Sequence, residues 1–197
     1  MRRVVLYFGS FNPVHRGHVA VAERVLERGL CDEVWFVVSP QNPLKPRAEL
    51  IDEQHRLRMT QLAASTSRYP DRMKVCDVEF GMPRPSYTID TLGELERRWP
   101  DVRFAMLVGT DIVGQIERWK QWEEIVSRYK IYVYPRRGYA GNGDARFEAL
   151  AGEPFEDFSS TEVRRALASG DTDMVPEAVR NYIKEHKLWI TQKKSPD

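Results

Sequence analysis

A short apolar run, Val4-Val5-Leu6-Tyr7-Phe8, leads directly into Gly9-Ser10-Phe11-Asn12-Pro13-Val14-His15-Arg16-Gly17-His18. This junction constrains the fold more than any other stretch of the chain. The run is rich in β-branched and aromatic residues and ends in turn formers, which predicts a buried strand. Beyond the turn, Val19, Ala22 and Leu26 recur at helical spacing, so a helix begins near Gly17. A strand, a tight turn and a helix start in succession aim unpaired N–H groups and a helix dipole at one place, the arrangement that holds phosphate. His15 and His18 can both face that place. Other readings of the pair stay open here: His-x-x-His can be half of a metal site, and either ring can cap the turn. A structural zinc site needs four N or S ligands, and the chain offers four histidines and two isolated cysteines.

Strand-like and helix-like patterns then alternate. Glu33 to Ser39 reads as a second buried strand, 53–66 as a helix with Met59, Leu62 and Ala63 on one face, and Lys74 to Phe80 as a weaker strand. Thr88 to Trp99 reads as a helix with Ile89, Leu92 and Leu95 inward and Thr88 as its N-cap. Arg103 to Gly109 and Tyr129 to Pro135 read as further strands. This order predicts an α/β fold, a mostly parallel sheet with helices on both faces. Ligands then bind beyond the carboxyl ends of the strands, where strand order reverses. Both the histidine turn and Gly109-Thr110-Asp111 sit at such ends. No G-x-G-x-x-G and no G-x-x-x-x-G-K-[ST] occurs, so neither a dehydrogenase dinucleotide loop nor a Walker loop is supported.

Near the other end, Ser159-Ser160-Thr161-Glu162 fits the S-x-x-E capping box and starts a helix with Val163 and Leu167 inward. Capping alone would explain the serine and the glutamate. The hydroxyls and Arg164, one turn in, make it a second anion-binding helix start. Val175 to Ile183 forms a structural end helix, Arg136 to Asp144 a polar loop expected to be mobile, and Gln192 to Asp197 a frayed tail.

His15-Arg16-Gly17-His18 resembles the H-x-G-H signature of the nucleotidyltransferase superfamily, and the surrounding wording resembles the bacterial nicotinate mononucleotide adenylyltransferases. Phe158 to Arg164 resembles the family's S-S-T-x-[IV]-R motif, and Pro40-Gln41-Asn42-Pro43-Leu44-Lys45 its P-x-x-N-P-x-K loop. Arg56 to Ala63 resembles R-x-x-M-x-x-L-A, read here mostly as core. Tyr87 to Leu92 matches Y-T-x-D-T-L, and Gly109-Thr110-Asp111 with Trp119 to Trp122 matches G-x-D…W-x-x-W. Val175 to Ile183 resembles V-P-x-x-V-x-x-Y-I. The departures are Ser10 and Asn12, where many members have Thr and Asp, and Gln41 in place of His.

The resemblance implies a Rossmann-like nucleotidyltransferase fold over 1–197 as one domain, with about 155–190 forming the second motif and the C-terminal helices. It implies transfer of AMP from ATP to nicotinate mononucleotide, giving deamido-NAD and pyrophosphate. His15, His18 and Arg164 would be catalytic. Gly9, Ser10, Phe11, Gly109, Asp111, Ser159, Ser160 and Thr161 would join them in binding ATP, with Asp111 on the ribose. Asn42, Lys45, Tyr87, Thr88, Trp119 and Arg136 would bind the acceptor, Trp119 by stacking on the pyridine ring. A protonated histidine beside polyphosphate is reasonable, because nearby negative charge raises a His pKa. Mg²⁺ would travel with the ATP phosphates rather than in a protein cage. Nicotinamide mononucleotide, phosphopantetheine and a turnover-deficient nucleotide-binding domain are the alternatives.

Composition agrees with a compact enzyme. Hydrophobic residues make up 42% of the chain, and 30 basic against 29 acidic residues leave a net charge of +1. That balance argues against a general nucleic-acid or membrane-surface binder. Cys31 and Cys76 lie in or beside apolar stretches without a disulfide framework and are expected as reduced core thiols. The first strand starts within a few residues of Met1, leaving no room for a signal peptide, and no apolar run is long enough to span a bilayer. A cytoplasmic protein is expected, with homo-oligomerisation left open.

Overall fold

The computed structural model describes residues 1–41, 50–139, 144–150 and 158–189. Among these, six strands form one parallel sheet: β1 (Arg2–Gly9), β2 (Glu33–Val38), β3 (Met73–Cys76), β4 (Val102–Gly109), β5 (Lys130–Tyr134) and β6 (Glu148–Ala149). Their order across the sheet is β3-β2-β1-β4-β5-β6, every pairing parallel. From β1 the chain steps outward one way to β2 and β3; from β4 it steps the other way. The crevice between the carboxyl ends of β1 and β4 is therefore the switch point.

The period of two along β1 divides the core. Val5 and Tyr7 face one layer, with α1 (Arg16–Glu27), α2 (Glu53–Ser65), α6 (Ser160–Ser169) and α7 (Glu177–Glu185) packed over them through Val21, Met59, Val163 and Ile183. Val4 and Leu6 face the other, covered by α3 (Thr88–Arg98) and α5 (Trp122–Arg128) through Leu92, Leu95 and Ile125. Each such fully buried aliphatic side chain contributes about 1.5–3 kcal/mol. A short helix, α4 (Thr110–Val113), follows β4 directly. Cys31 and Cys76 are unbridged and buried, and burial pushes both thiols up to about 11, which keeps them unreactive.

Two expectations need correction. The strand expected over Lys74 to Phe80 ends at Cys76, and Val78–Gly81 wind into a 3₁₀ turn. Once the Asp77 carbonyl accepts the Phe80 N–H at 2.8 Å, the chain cannot stay extended. At α3 the N-cap is Tyr87, in extended conformation and with no side-chain cap, so Thr88 is the first helical residue. The hydroxyl that closes this turn belongs to Thr91, which donates to Tyr87 O at 3.2 Å.

The carboxyl ends are tied together by Arg56. Its side chain is 1% exposed, and it donates to Ser10 O at 2.7 Å, Ser39 O at 2.6 Å, Pro40 O at 3.0 Å and Ile51 O at 3.1 Å. One guanidinium fork thus joins the loop after β1 to the loop after β2. Its sequence motif suggested core packing; its role is that of a clamp. Arg56→Met removes four charge-assisted bonds and leaves the carbonyls buried, so urea unfolding should show a loss of about 2–4 kcal/mol. A loss under about 0.5 kcal/mol, the level of an ordinary surface change, would mean that the loops hold without it.

Candidate active site

The turn after β1 is built around Gly9 and Phe11. A Cβ on Gly9 would lie 2.7 Å from the Phe11 ring, so only glycine lets the ring fold back over the strand end. Phe11 itself takes a left-handed conformation, φ +44°, and is buried. Non-glycine residues adopt this region at a cost, which the surrounding packing must sustain. Ser10 is buried with its Oγ lacking a hydrogen-bond partner.

The turn delivers the two histidines as a stacked pair. His15 caps α1 in extended conformation, and the ring centroids of His15 and His18 lie 3.6 Å apart at 29°. The His15 N–H donates to His18 Nδ1 at 3.2 Å, while the His18 N–H donates to His15 O at 3.0 Å. His15 is 4% exposed, and its Nδ1 has no partner. Burial, with the charge of Arg136 second, lowers its pKa to about 3. In the free protein His15 is therefore neutral, because desolvation outweighs every negative group present without ligand; the expected protonated imidazole belongs to the state with polyphosphate bound. Tyr7 forms the floor, its ring 5.8 Å from His18 and its hydroxyl donating to Tyr134 Oη at 2.9 Å. Neither tyrosine stood out in the sequence beyond its strand period.

The second motif docks onto this turn. Ser159 caps α6 with a complete box: its Oγ accepts the Glu162 N–H at 3.1 Å, and Glu162 Oε2 accepts the Ser159 N–H at 2.7 Å. Ser160 Oγ donates to Pro13 O at 3.2 Å, and Arg164 donates to Asn12 O at 3.0 Å and to Thr161 Oγ1 at 3.2 Å. Phe158 meets the His15 ring edge-on at 6.2 Å. Residues about 150 positions apart in sequence so converge on one loop.

At the end of β4, a Cβ on Gly109 would collide with Asp111 Oδ1 and lie 2.7 Å from Arg136 Cδ. Asp111 Oδ2 pairs with Arg136 at 3.5 Å, while its buried Oδ1 has no hydrogen-bond partner. The Arg136 N–H donates to Thr110 Oγ1 at 2.9 Å, so Arg136 stands against Gly109, Thr110 and Asp111. The segments of Tyr87–Thr88 and of Trp119 are joined through Lys120, which bonds both oxygens of Asp90 at 2.9 and 2.8 Å and lies 5.1 Å from the Tyr87 ring centre. Asn42 and Lys45 lie outside the described residues. Among the described residues no three His, Cys, Asp or Glu side chains cluster as a metal site.

A family model described as Cytidylyltransferase-like matches residues 6–166. A relative from Bacteroides thetaiotaomicron, named as a probable nicotinate-nucleotide adenylyltransferase, is 40% identical over 91% of this chain and 92% of its own length. One of the same name from Bacteroides fragilis is 43% identical over 84% of this chain and 82% of its own. In structure, the Plasmodium falciparum nicotinic acid mononucleotide adenylyltransferase complexed with NaAD superposes with a TM-score of 0.82 at 20% identity, over 96% of this chain and 98% of that one, a likeness of fold.

The depressed His15 pKa has a stability consequence. As pH falls from about 6.5 towards 3, the unfolded chain takes up a proton at His15 that the folded chain does not, so folded-state stability present at neutral pH is lost. The melting temperature of the ligand-free protein should therefore drop across this window, and His15→Asn should flatten part of the drop. Parallel pH profiles for the two proteins, by calorimetry, would contradict the buried neutral imidazole.

Proposed function

The chain belongs to the nicotinate-nucleotide adenylyltransferases, within the cytidylyltransferase-like family, and we propose that its crevice joins AMP from ATP to nicotinate mononucleotide with the following residue roles. The observation that carries the assignment is the meeting of two phosphate-type helix starts, α1 behind His15 and α6 behind Ser159, on one loop. The acceptor's 5′-phosphate oxygen attacks the α-phosphorus in line, and the bond to the bridging oxygen of pyrophosphate breaks on the far side. Negative charge shifts towards the pyrophosphate, so the protein's task is positioning and neutralisation rather than covalent catalysis.

His15 and His18 take the phosphates at the start of α1, His18 on the α-phosphate and His15 on its neighbours. Phosphate charge opposes the desolvation that keeps His15 neutral in the free protein. Arg164, at the start of α6, holds the β- and γ-phosphates and then the leaving pyrophosphate, assisted by Ser159, Ser160 and Thr161. Asp111, whose Oδ1 is buried without a donor, accepts hydroxyls of the adenosine ribose. Gly9, Ser10, Phe11 and Gly109 let the nucleotide approach the backbone. Mg²⁺ arrives on the triphosphate as part of the substrate; the chain's residues supply cations and N–H donors around it rather than a carboxylate cage. At the other end, Trp119 stacks on the pyridine ring, and the start of α3 at Tyr87 and Thr88 receives its carboxylate. Asn42, Lys45 and Arg136 complete the acceptor set. A cytoplasmic location fits the reduced thiols and the ATP substrate; no helix among the described residues is long and apolar enough to cross a membrane.

Two measurements test this reading. In a pyrophosphate-release assay, His18→Ala should lower turnover by about 10²–10³-fold with ATP binding changed far less. Near-normal turnover would remove His18 from the reaction. With nicotinate and nicotinamide mononucleotides compared, the wild type should favour the acid by at least about tenfold in kcat/KM, or about 1.4 kcal/mol. Trp119→Ala should weaken both acceptors and keep most of that ratio. Equal use of the two by the wild type would overturn the carboxylate site at α3.

A further inference from the structure

Glu79 is a buried carboxylate that the chemistry above does not use. It lies in the 3₁₀ turn after β3, 3% exposed. Its partners are hydroxyls: Ser86 Oγ donates to Oε2 at 2.5 Å and Thr91 Oγ1 donates to Oε1 at 2.9 Å. Burial pushes its carboxyl above the usual carboxylate range, and the hydroxyls of Ser86 and Thr91 pull against that shift. Burying such a group without a paired cation is costly unless its hydrogen bonds are satisfied, so an architectural filler would be expected to be apolar.

The two hydroxyls belong to the first turn of α3 and to the segment that leads into it. Ser86 immediately precedes Tyr87 and Thr88. Thr91 closes the first turn of α3: its N–H donates to Tyr87 O at 3.1 Å, and its one hydroxyl proton is shared between Glu79 and the longer contact to Tyr87 O at 3.2 Å. We infer that Glu79 is a positioning residue for the acceptor, holding the start of α3 in register so that the α3 N–H groups converge on the pyridine substituent. The inference rests on the reading of that helix start as the acceptor's carboxylate site. It concerns the acceptor alone, because the histidine turn and the start of α6 are held by other bonds.

Glu79→Gln separates this role from general support. Ser86 and Thr91 donate to different carboxylate oxygens, and a carboxamide has only one oxygen, so its NH₂ faces one of the two hydroxyls, which must turn from donor to acceptor and place its own proton elsewhere, while the charge that strengthened both bonds is lost. The KM for nicotinate mononucleotide should rise about tenfold, with the KM for ATP held within about twofold and kcat within about threefold. Ser86→Ala should move the same constant in the same direction by about threefold, and it carries the test if the glutamine variant does not fold. An unchanged acceptor KM, or both KM values rising together, would overturn the inference while wild-type turnover of the acid leaves the functional reading intact. Absence of wild-type turnover with nicotinate mononucleotide would overturn both.

Discussion

Everything in the crevice depends on a loop of five residues, Ser10 to Val14, that is held by its carbonyls. Arg56 of α2 takes Ser10 O, Arg164 of α6 takes Asn12 O, and Ser160 of α6 takes Pro13 O. Three donors from distant parts of the chain leave the loop little conformational freedom, and that over-determination lets Phe11 keep its left-handed backbone. A phosphate site of this kind needs N–H groups fixed before the ligand arrives, because ordering them afterwards would subtract from binding. The stacked histidines, the glycine under Phe11 and the docked start of α6 all follow from where this loop is anchored.

Electrostatically, the crevice of the free protein is arranged rather than charged. His15 is neutral by desolvation, and Arg136 is paired with Asp111. Glu162 is drawn into its own capping box, which holds its carboxyl below the usual range through the Ser159 backbone first. Cationic capacity is therefore present in latent form. A polyanion entering the crevice supplies the charge that desolvation had withheld from the imidazole, whereas a neutral ligand of the same shape does not.

Much of this was legible in the residues. Period-two and period-three-to-four patterns located the strands, and the Gly/Pro/Asn turn with its histidines located the switch point. Ser159 to Glu162 announced a capped helix, and the structure contains both bonds of that box. What was not legible depends on tertiary meeting points. Arg56 and Glu79 are charged residues in segments that read as helix core and weak strand, and nothing local says that buried carbonyls or hydroxyls will surround them. Thr88 had the chemistry of an N-cap but stands one position inside α3, because Tyr87 takes the extended turn and Thr91 closes it. The strand expected to reach Phe80 stopped at Cys76 for a related reason: Glu79 turns inward towards the hydroxyls of Ser86 and Thr91.

The bond from Arg164 to Asn12 O bears on how the site empties. Any phosphate that engages this guanidinium through the same N–H must displace a carbonyl already within 3.0 Å, so the protein carries its own competitor for the ligand. Exchange of one partner for another makes the net gain smaller than the gross strength of a charged bond. A departing group is then replaced by an internal acceptor rather than leaving a desolvated cation behind. On the role proposed for Arg164, the contact that orders the loop before reaction would also take over the guanidinium when the leaving group departs, which would tie retention of that group to the position of the β1 turn.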